Sequence, residues 1–387
     1  MPNYQELQKH FMVNTYPNRN LTFVKGDGIY LFDERGEKYL DLMSNYGVNI
    51  FGYNHKELTN AIADQLTKIT TLHCSFANDT RAIASKKLAS ILNNGCKYIY
   101  WGNSGAEAVE AALKFAVLAT GKKKFVACKN SYHGKTLGAL SVTYSAKYRE
   151  PFLPLLWNVT YIDYNDPNKL ISAIDKDTAA FIVEPIQGES GVRIPDDNYL
   201  KNIEAICKQN EILLILDEIQ TGCGRTGNFL ASHQYNISPD IICLGKGLAG
   251  GIPIGVTVVS ERIAAYIGKS IHTSTFGGNP LACAGVNAVL QLLTNGFMQK
   301  IESLGKYFIE LLKTIKSHLI VEVRGKGLMI GVEVIEKRND ILQILQINKI
   351  LAAPAGDNVI RFLPPYIIDE KNIEYTAETL RNILTKM

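Results

Sequence analysis

The fold of this chain is decided by Leu213-Leu214-Ile215-Leu216-Asp217-Glu218-Ile219-Gln220, an apolar run that ends in two carboxylates. A second stretch, Asp240-Ile241-Ile242-Cys243-Leu244-Gly245-Lys246-Gly247, has the same form and ends in a lysine between glycines. Apolar runs of this length, separated by helical patterns, are typical of buried strands in a largely parallel sheet. Ligands of such sheets bind beyond the carboxyl ends of the strands. Asp217 and Lys246 are therefore the first residues to consider for function.

Further strands and helices are predicted on both sides of these two runs. The strands are Tyr98–Trp101, Phe125–Cys128, Phe181–Glu184, Ile212–Leu216, Ile241–Leu244 and Ile254–Val259, and the helices between them include Ala106–Ala119 and Asn198–Gln209. This alternation predicts an α/β fold whose large domain has a mostly parallel sheet flanked by helices.

The two ends of the chain follow a different pattern. A strand pair is predicted at Gly28–Phe32 and Lys38–Asp41, around the turn Asp33-Glu34-Arg35-Gly36. After residue 290 a helix precedes strands at Val321–Val323, Leu328–Val334 and Val359–Phe362, and a last helix follows from Lys371. We expect a smaller α+β domain built from both termini, with boundaries at 1–48 (N-terminal segment), 49–290 (large domain) and 291–387 (C-terminal part).

Composition excludes several classes of function. A formal net charge of +4 over 387 residues does not indicate nucleic acid or an anionic membrane as a partner. The longest apolar run, near Ile212–Leu216, is too short to span a bilayer, and Met1–Met12 lacks the apolar core of a secretory signal. The seven scattered cysteines form no Cys-x-x-Cys pair, so neither a zinc site nor a disulfide framework is indicated. We expect a cytoplasmic protein without a metal.

The two charged strand ends have a shared chemical interpretation. A carboxylate that is partly desolvated at Asp217 needs a cationic partner, and a protonated pyridine nitrogen is one. A lysine that is pushed into a low-dielectric pocket at Lys246 loses proton affinity and becomes a Schiff-base nucleophile. Taken singly, each has a plainer interpretation: Asp217 as the cap of a loop, and Lys246 as a turn lysine.

An anion site is indicated by Trp101-Gly102-Asn103-Ser104-Gly105-Ala106-Glu107-Ala108, where a strand ends, small residues turn and an Ala-rich helix starts. The free N–H groups and positive end of such a helix suit a phosphate monoester. Ser104 would serve either as helix cap or as phosphate donor. The run Gly222-Cys223-Gly224-Arg225-Thr226-Gly227 matches a dinucleotide fingerprint, but no strand leads directly into it and no long helix follows.

Together the motifs resemble those of the class III, or omega, aminotransferases of fold type I, which use pyridoxal 5′-phosphate (PLP). The resemblance covers nearly the whole chain and is carried by Asn103-Ser104-Gly105-Ala106-Glu107-Ala108, Tyr132-His133-Gly134, Glu184-Pro185-Ile186-Gln187-Gly188-Glu189, Asp217-Glu218-Ile219-Gln220-Thr221-Gly222 and Gly277-Gly278-Asn279-Pro280. Within the family the chain is most similar to the acetylornithine enzymes and to the branch that acts on carrier-bound lysine or ornithine. The family's large sheet has seven strands.

The resemblance implies a role for each matching residue. Lys246 would hold the cofactor covalently and move the proton, and Asp217 would pair with the pyridine nitrogen. The other implied cofactor contacts are Ser104, Gly105, Ala106, Tyr132, His133, Gln220, Ser274 and Thr275. The last two match a segment that reaches the phosphate site of the neighbouring subunit, which implies a homodimer.

The resemblance also implies how one pocket accepts two ligands. The amine donor has no carboxylate on its reacting carbon, whereas 2-oxoglutarate does. An arginine that binds the second ligand would be left unpaired by the first, which is costly. Glu189 would pair with Arg361 and move aside for the keto acid. Glu184 is expected among the substrate-binding residues.

Two departures from the family pattern concern the donor. The family's His-Gly-Arg-Thr is here His133-Gly134-Lys135-Thr136, and lysine lacks the bidentate fork that grips a distal carboxylate. Tyr46 stands where acetylornithine enzymes usually carry an aliphatic residue and ornithine enzymes a tyrosine. We expect a transamination from N-acetylornithine to 2-oxoglutarate, with ornithine, carrier-linked lysine or putrescine as other donors. A PLP-dependent aminomutase and a non-catalytic binding protein are the alternatives from other classes.

Overall fold

The computed structural model describes residues 3–92 and 95–387. Its strands are β1 Phe23–Asp27, β2 Tyr30–Asp33, β3 Lys38–Asp41, β4 Cys96–Gly102, β5 Lys124–Cys128, β6 Asn158–Ile162, β7 Thr178–Val183, β8 Leu213–Asp217, β9 Ile241–Leu244, β10 Gly255–Ser260, β11 Ile320–Lys326, β12 Met329–Val334, β13 Ile350–Leu351, β14 Ala353–Ala355 and β15 Val359–Phe362. Its helices are α1 Tyr4–Phe11, α2 Ser44–Gly47, α3 Lys56–Leu66, α4 Asp79–Leu92, α5 Gly105–Thr120, α6 Leu137–Val142, α7 Ala146–Arg149, α8 Pro167–Ala173, α9 Tyr199–Gln209, α10 Glu261–Ala264, α11 Pro280–Leu292, α12 Asn295–Lys313, α13 Arg338–Ile347 and α14 Glu370–Thr385.

A seven-stranded sheet forms the centre of the molecule, with strand order β4-β10-β9-β8-β7-β5-β6. All neighbouring pairs from β9 to β6 are parallel, and β7, β8 and β9 are buried along their full length. Helices cover both faces, which is why these strands are continuous apolar runs. The predicted fold class, with its mostly parallel sheet, is confirmed.

Strand β10 runs antiparallel to both of its neighbours, β9 and β4. The connection from β9 to β10 consists of residues 245–254, which is shorter than the dozen or so residues that a parallel crossover needs. The chain therefore turns back directly, and Gly255 at the start of β10 comes to lie beside the carboxyl ends of the parallel strands.

Helix α5 follows β4 and packs its small residues against the sheet. The Ser104 side chain caps it by accepting a hydrogen bond from the Glu107 N–H at 3.2 Å. The helix ends at Gly121, whose φ of 69° is the left-handed conformation that glycine adopts at little cost. Ala108 and Ala112 lie on its fully buried face, so the helix axis approaches the sheet closely and its N-terminus points to the sheet's ligand edge.

Two four-stranded sheets contain the ends of the chain. One has the order β1-β2-β3-β13 and the other β11-β12-β15-β14. In the first, Ile350 and Leu351 of β13 pair in parallel with Leu40 and Asp41 of β3, which ties the N-terminal hairpin to the C-terminal part. The fold thus has a smaller sheet domain beside the large sheet, while the boundaries at residues 48 and 290 stay predictions.

The segment α2 is a turn of the opposite hand to a normal helix. Ser44, Asn45 and Tyr46 have φ values of 46°, 50° and 59°, and Gly47 follows with 87°. Left-handed backbone costs roughly 1–2 kcal/mol for each residue that carries a Cβ. Contacts outside the turn must offset that cost.

Several predicted elements differ from the structure in detail. The predicted strand Phe181–Glu184 ends one residue earlier, so that Glu184 lies beyond the strand at the ligand edge. The sequence pattern did not predict β1, β6, β13 or β14. Among the described residues, which include all seven cysteines, no disulfide bond is formed. Within residues 3–92 and 95–387 no single helix is long and apolar enough to cross a membrane; α11 and the 296–313 part of α12 together pass on length and composition only, at a bend of 76°.

Candidate functional site

Asp217 is the last residue of β8, and its carboxylate is held from two sides. Its Oδ1 accepts a hydrogen bond from the Ile219 N–H at 3.1 Å, and its Oδ2 lies 2.7 Å from Nδ1 of His133. Both side chains are buried. An ionised carboxylate only accepts hydrogen bonds, so the His133 Nδ1 carries the proton and donates it. A carboxylate oxygen has further lone pairs, so Asp217 can accept one more charged donor from the ligand edge.

Lys246 begins a single 3-10 turn directly after β9. Asp217 pairs with Cys243 in the parallel β8–β9 ladder, so the two charged residues lie at the carboxyl ends of neighbouring strands. Burial lowers the pKa of Lys246, and the facing carboxylates of Glu189 and Asp217 offset part of that shift. Its φ of 44° is a left-handed conformation for a residue with a side chain, as found at functional sites. A lysine in such surroundings is a competent nucleophile and base.

The N-terminus of α5 forms an anion site made of main chain. Ser104 satisfies the N–H groups of Glu107 and Ala108, and in the described residues those of Gly105 and Ala106 have no acceptor. The neighbouring strands approach this helix end closely, and the Ile219 side chain packs against both Gly105 and Gly245. A Cβ at Gly245 would lie 3.5 Å from the Gly105 Cα, and one at Gly255 would lie 1.8 Å from the Ser104 carbonyl oxygen.

Ser274 and Thr275 belong to the loop before α11. The Ser274 hydroxyl accepts hydrogen bonds from the Asn103 side chain and from the Gly277 N–H, both at 3.0 Å. Thr275 is exposed. The first residue is thus tied to the loop that precedes α5, whereas the second faces outward.

Glu184 joins two loops at the ligand edge. One of its carboxylate oxygens accepts a hydrogen bond from the Tyr132 N–H at 3.0 Å, and the other accepts one from the Gly188 N–H at 3.3 Å. Burial raises the pKa of Glu184 to about 7. The structure therefore gives this residue contacts with the protein backbone, and it fixes the loop of Tyr132 relative to the loop of Glu189.

Glu189 and Arg361 form an ion pair beside these residues. Nη1 of Arg361 donates to Oε1 of Glu189 at 2.8 Å and to Oε1 of Gln220 at 3.0 Å, and the arginine side chain is fully buried. Burial raises the pKa of Glu189, but the charge and hydrogen bond of Arg361, together with the charge of Lys246 and a hydrogen bond from Gln220, outweigh burial and hold the pKa below its usual value. Nε of Arg361 is buried without a partner in the part of the chain that the structure describes. Arg361 can therefore still donate a hydrogen bond from Nε to a ligand.

Tyr46 covers the other side of that arginine. Its ring centroid lies 5.6 Å from the guanidinium carbon of Arg361, within the range of a cation–π contact. Lys135 lies further out and is exposed, with Nζ 4.3 Å above the ring of Tyr148, which in turn meets Tyr132 edge to face at 6.2 Å. The sequence pattern had not indicated Tyr148.

Gly188 is a further residue that the sequence analysis left without a role. A Cβ at this position would lie 1.8 Å from Oε1 of Gln220. Because Gln220 also binds Arg361, a side chain at 188 would displace the arginine's partner. The motif Gln187-Gly188-Glu189 was available as a signal, but the reason for its glycine is a contact between distant segments.

The residues that meet here fit PLP. The free N–H groups of Gly105 and Ala106 suit its phosphate, the buried Lys246 suits its aldehyde, and Asp217 suits its ring nitrogen. Nε2 of His133, the ring nitrogen that does not face Asp217, is buried and unpaired among the described residues. No group of three or more His, Cys, Asp or Glu side chains in the described ranges could hold a metal ion.

Comparisons with known proteins agree with this geometry. Residues 11–384 match the family model described as aminotransferase class III. The chain is 40% identical over 385 residues to an acetylornithine aminotransferase of Methanopyrus kandleri, covering 98% of each chain. It is 41% identical over 372 residues to a [LysW]-aminoadipate semialdehyde/glutamate semialdehyde transaminase of Sulfurisphaera tokodaii, covering 95% of this chain and 96% of that one. The crystal structure of the ornithine aminotransferase from Toxoplasma gondii superposes with a TM-score of 0.94 at 32% identity, covering 99% of this chain and 94% of that one.

Proposed function

The chain belongs to the class III aminotransferases, which are PLP-dependent, and on that premise we propose that it transfers the terminal amino group of N-acetylornithine, or of a related ω-amino donor, to 2-oxoglutarate. The products are the corresponding semialdehyde and glutamate. Bound PLP supplies an electron sink that stabilises negative charge on the reacting carbon.

The ion pair of Glu189 with Arg361 is the observation that carries this proposal. A buried arginine beside Lys246 suits the carboxylate next to the keto group of 2-oxoglutarate. The ω-amino donor has no such carboxylate, and the arginine would be left as an uncompensated buried charge. Glu189 supplies the missing negative charge in that half of the reaction and gives way in the other. An aminomutase, which needs no external keto acid, has no use for this arrangement.

Lys246 and Asp217 divide the chemical work. The Lys246 amine would hold the cofactor and then move the proton that leaves the reacting carbon of the donor, a task for which its lowered pKa suits it. Asp217 would keep the ring nitrogen positive, and His133 holds the Asp217 carboxylate in place. Tyr132 would stack on the ring, and Gln220 would lie near the ring hydroxyl.

The phosphate site would be formed by residues of two subunits. The amides of Gly105 and Ala106, with Ser104, hold the phosphate of their own subunit. Ser274 and Thr275 reach the phosphate of a second copy, so the working unit is a homodimer with two sites at its interface. The exposure of Thr275 in the single chain supports this arrangement.

The choice of donor depends on Lys135 and Tyr46. Lys135 provides the positive charge for a distal carboxylate such as that of N-acetylornithine, without the fork of an arginine. Tyr46 over Arg361 favours ornithine as the second candidate, because its hydroxyphenyl ring narrows the space on that side of the arginine. The remaining candidate donors are carrier-linked lysine and putrescine.

A donor panel tests the function. The purified enzyme is incubated with PLP, 2-oxoglutarate and, in turn, N-acetylornithine, ornithine, putrescine and lysine linked to a carrier protein, and glutamate is measured. We expect glutamate with at least one of these donors and the highest kcat/KM with N-acetylornithine. Absence of glutamate with all of them would refute the proposal, and amino-group migration without keto acid would indicate an aminomutase.

A further inference from the structure

Asp41 is a buried carboxylate outside the site. It ends β3 and is 1% exposed. Its Oδ1 accepts hydrogen bonds from the N–H groups of Met43 and Ser44, both at 3.0 Å, and its Oδ2 accepts the Tyr53 hydroxyl at 2.7 Å. Burial raises the pKa of Tyr53, and the charge of Asp41 adds to that shift, which keeps the hydroxyl a donor. Two of these contacts hold the start of the left-handed turn α2, and the third anchors the carboxylate to Tyr53.

The turn has limited support of its own. Gly47 N–H donates to the Met43 carbonyl at 3.0 Å, and Val48 N–H donates to the Ser44 carbonyl at 2.8 Å. Asn49 N–H also donates to the Ser44 carbonyl, at 3.0 Å. The N–H groups of residues 43 and 44 are left to the Asp41 carboxylate. Without it, one part-buried and one buried donor would lose their acceptor where the chain enters a strained conformation.

The same turn is joined to the strand that carries the substrate arginine. Leu363 N–H, just after β15, donates to the Leu42 carbonyl at 2.7 Å. Arg361 lies two residues earlier, in β15. The main chain before the turn is therefore fixed relative to the strand that carries Arg361. The conformation of the turn then determines the position of the Tyr46 ring relative to the guanidinium group of Arg361.

We propose that Asp41, anchored by Tyr53, is a positioning residue that locks the left-handed turn 44–47 and thereby fixes Tyr46 over Arg361, which sets the affinity for dicarboxylates. This inference rests on the proposed function, since it assigns Arg361 to the carboxylate of the acceptor. Asp41 itself touches neither substrate nor cofactor; it acts through Tyr46.

A binding measurement without turnover tests it. Glutarate carries both carboxylates of 2-oxoglutarate but no keto group, so its dissociation constant from the PLP-loaded enzyme is measured by calorimetry. We expect Asp41→Ala to weaken glutarate binding about fivefold or more. Asp41→Asn, whose amide oxygen still accepts from Met43 and Ser44, should stay within about twofold of wild type.

Asp33 offers a matched control in the same hairpin. Its buried carboxylate also accepts two backbone N–H groups, from Arg35 and Glu37 at 2.9 Å, and a tyrosine hydroxyl, from Tyr39 at 3.5 Å. Asp33→Ala therefore loses an equivalent cap without altering the turn at Tyr46. Its glutarate affinity should equal that of wild type.

A double-mutant cycle separates positioning from general damage. In a Tyr46→Ala background, Asp41→Ala should cause no further loss of glutarate affinity, because the residue it acts through is gone. An equal loss in both backgrounds, or unchanged affinity in Asp41→Ala, would overturn the inference. If Asp41→Ala does not fold, Tyr53→Phe takes its place: it should weaken glutarate binding about twofold or more, again only when Tyr46 is present, and no weakening would overturn the inference.

Failure of the proposed function has a different signature. Wild-type enzyme that binds no glutarate and forms no glutamate would refute the acceptor assignment and this inference with it. Wild-type enzyme that binds glutarate, with Asp41→Ala binding it equally well, would refute the positioning role alone.

Discussion

Nδ1 of His133 donates a hydrogen bond of 2.7 Å to Oδ2 of Asp217, and neither side chain is reached by solvent to any extent. The two residues come from separate segments, the loop after β5 and the end of β8. The contact fixes one oxygen of the carboxylate and leaves its remaining lone pairs for the ligand.

Replacing His133 should weaken cofactor binding. His133→Leu removes a hydrogen bond to a buried charge, worth roughly 1.5–3 kcal/mol, so we expect PLP affinity to fall by roughly 10- to 100-fold. Titration of the apoenzyme with PLP, followed by absorbance, measures this. His133→Asn keeps a donor and serves as the control; equal affinity in wild type and His133→Leu would contradict the role.

Replacing Lys246 should remove both attachment and proton transfer. Lys246→Ala should reduce turnover below about one ten-thousandth of wild type, since general base catalysis alone contributes roughly 10²–10⁴. Borohydride treatment followed by mass spectrometry of peptides should find the covalent adduct at residue 246 in wild type and nowhere in the variant. The surface variant Lys97→Ala should behave as wild type. An adduct at another lysine would show that the attachment site is wrong.

Removing the charge of Glu189 should improve the binding of 2-oxoglutarate, which accepts the amino group. In Glu189→Gln, the carboxylate of 2-oxoglutarate no longer competes with a fixed anion for Arg361, so its KM should fall by roughly tenfold. The half-reaction with the ω-amino donor should slow. Stopped-flow absorbance of the two half-reactions measures both effects, with the exposed Glu261→Gln as control. A higher KM for the keto acid would argue against the switch.

Replacing Lys135 by arginine should strengthen the binding of a donor's distal carboxylate. Lys135→Arg should raise kcat/KM for N-acetylornithine by roughly threefold to tenfold, because a guanidinium binds a carboxylate through two parallel hydrogen bonds. Putrescine, which has no carboxylate, should show no gain. Steady-state kinetics with both donors decides the matter; unchanged or poorer use of N-acetylornithine would remove Lys135 from the substrate site.

Glu184 should make stability depend on pH. Its pKa rises from 4.5 to about 7 on burial, so the folded state binds more protons than the unfolded state between those values. The resulting stabilisation is complete below pH 4.5 and is lost as the pH rises through 7, by roughly 3 kcal/mol. Urea unfolding at several pH values should show a smaller decline in Glu184→Gln than in wild type. Parallel curves for the two proteins would contradict the assignment.

The central strands and the charged residues at their ends were predictable because strands that are buried on both faces have a continuous apolar sequence. Strand β6 escaped prediction since it is the edge strand, only partly buried, and reads Asn-Val-Thr-Tyr-Ile with polar residues between apolar ones. Strands β13 and β14 are two and three residues long, which leaves no periodicity to detect.

The site was predictable where a residue follows a strand and unpredictable where it depends on distant segments. Lys246 and Asp217 are of the first kind. The left-handed turn at Tyr46 is of the second: Asn45 and Gly47 tolerate that conformation, but its contacts with Asp41, which Tyr53 anchors, come from outside the turn. The cation–π contact of Lys135 with Tyr148 likewise joins a loop to the short helix α7, and the two segments share no motif.

Gly255 of β10 lies directly against the Ser104 main chain, where a Cβ at residue 255 would be 1.8 Å from the carbonyl oxygen. This contact has no side chain at residue 255 that a mutation could resize. Its dimensions can change only if a whole strand shifts, which would also disturb the strands hydrogen-bonded to it. An evolved variant that binds a new ligand therefore cannot reshape this side of the site by changing one side chain. It can adapt only on the opposite side, where side chains rather than main chain form the boundary.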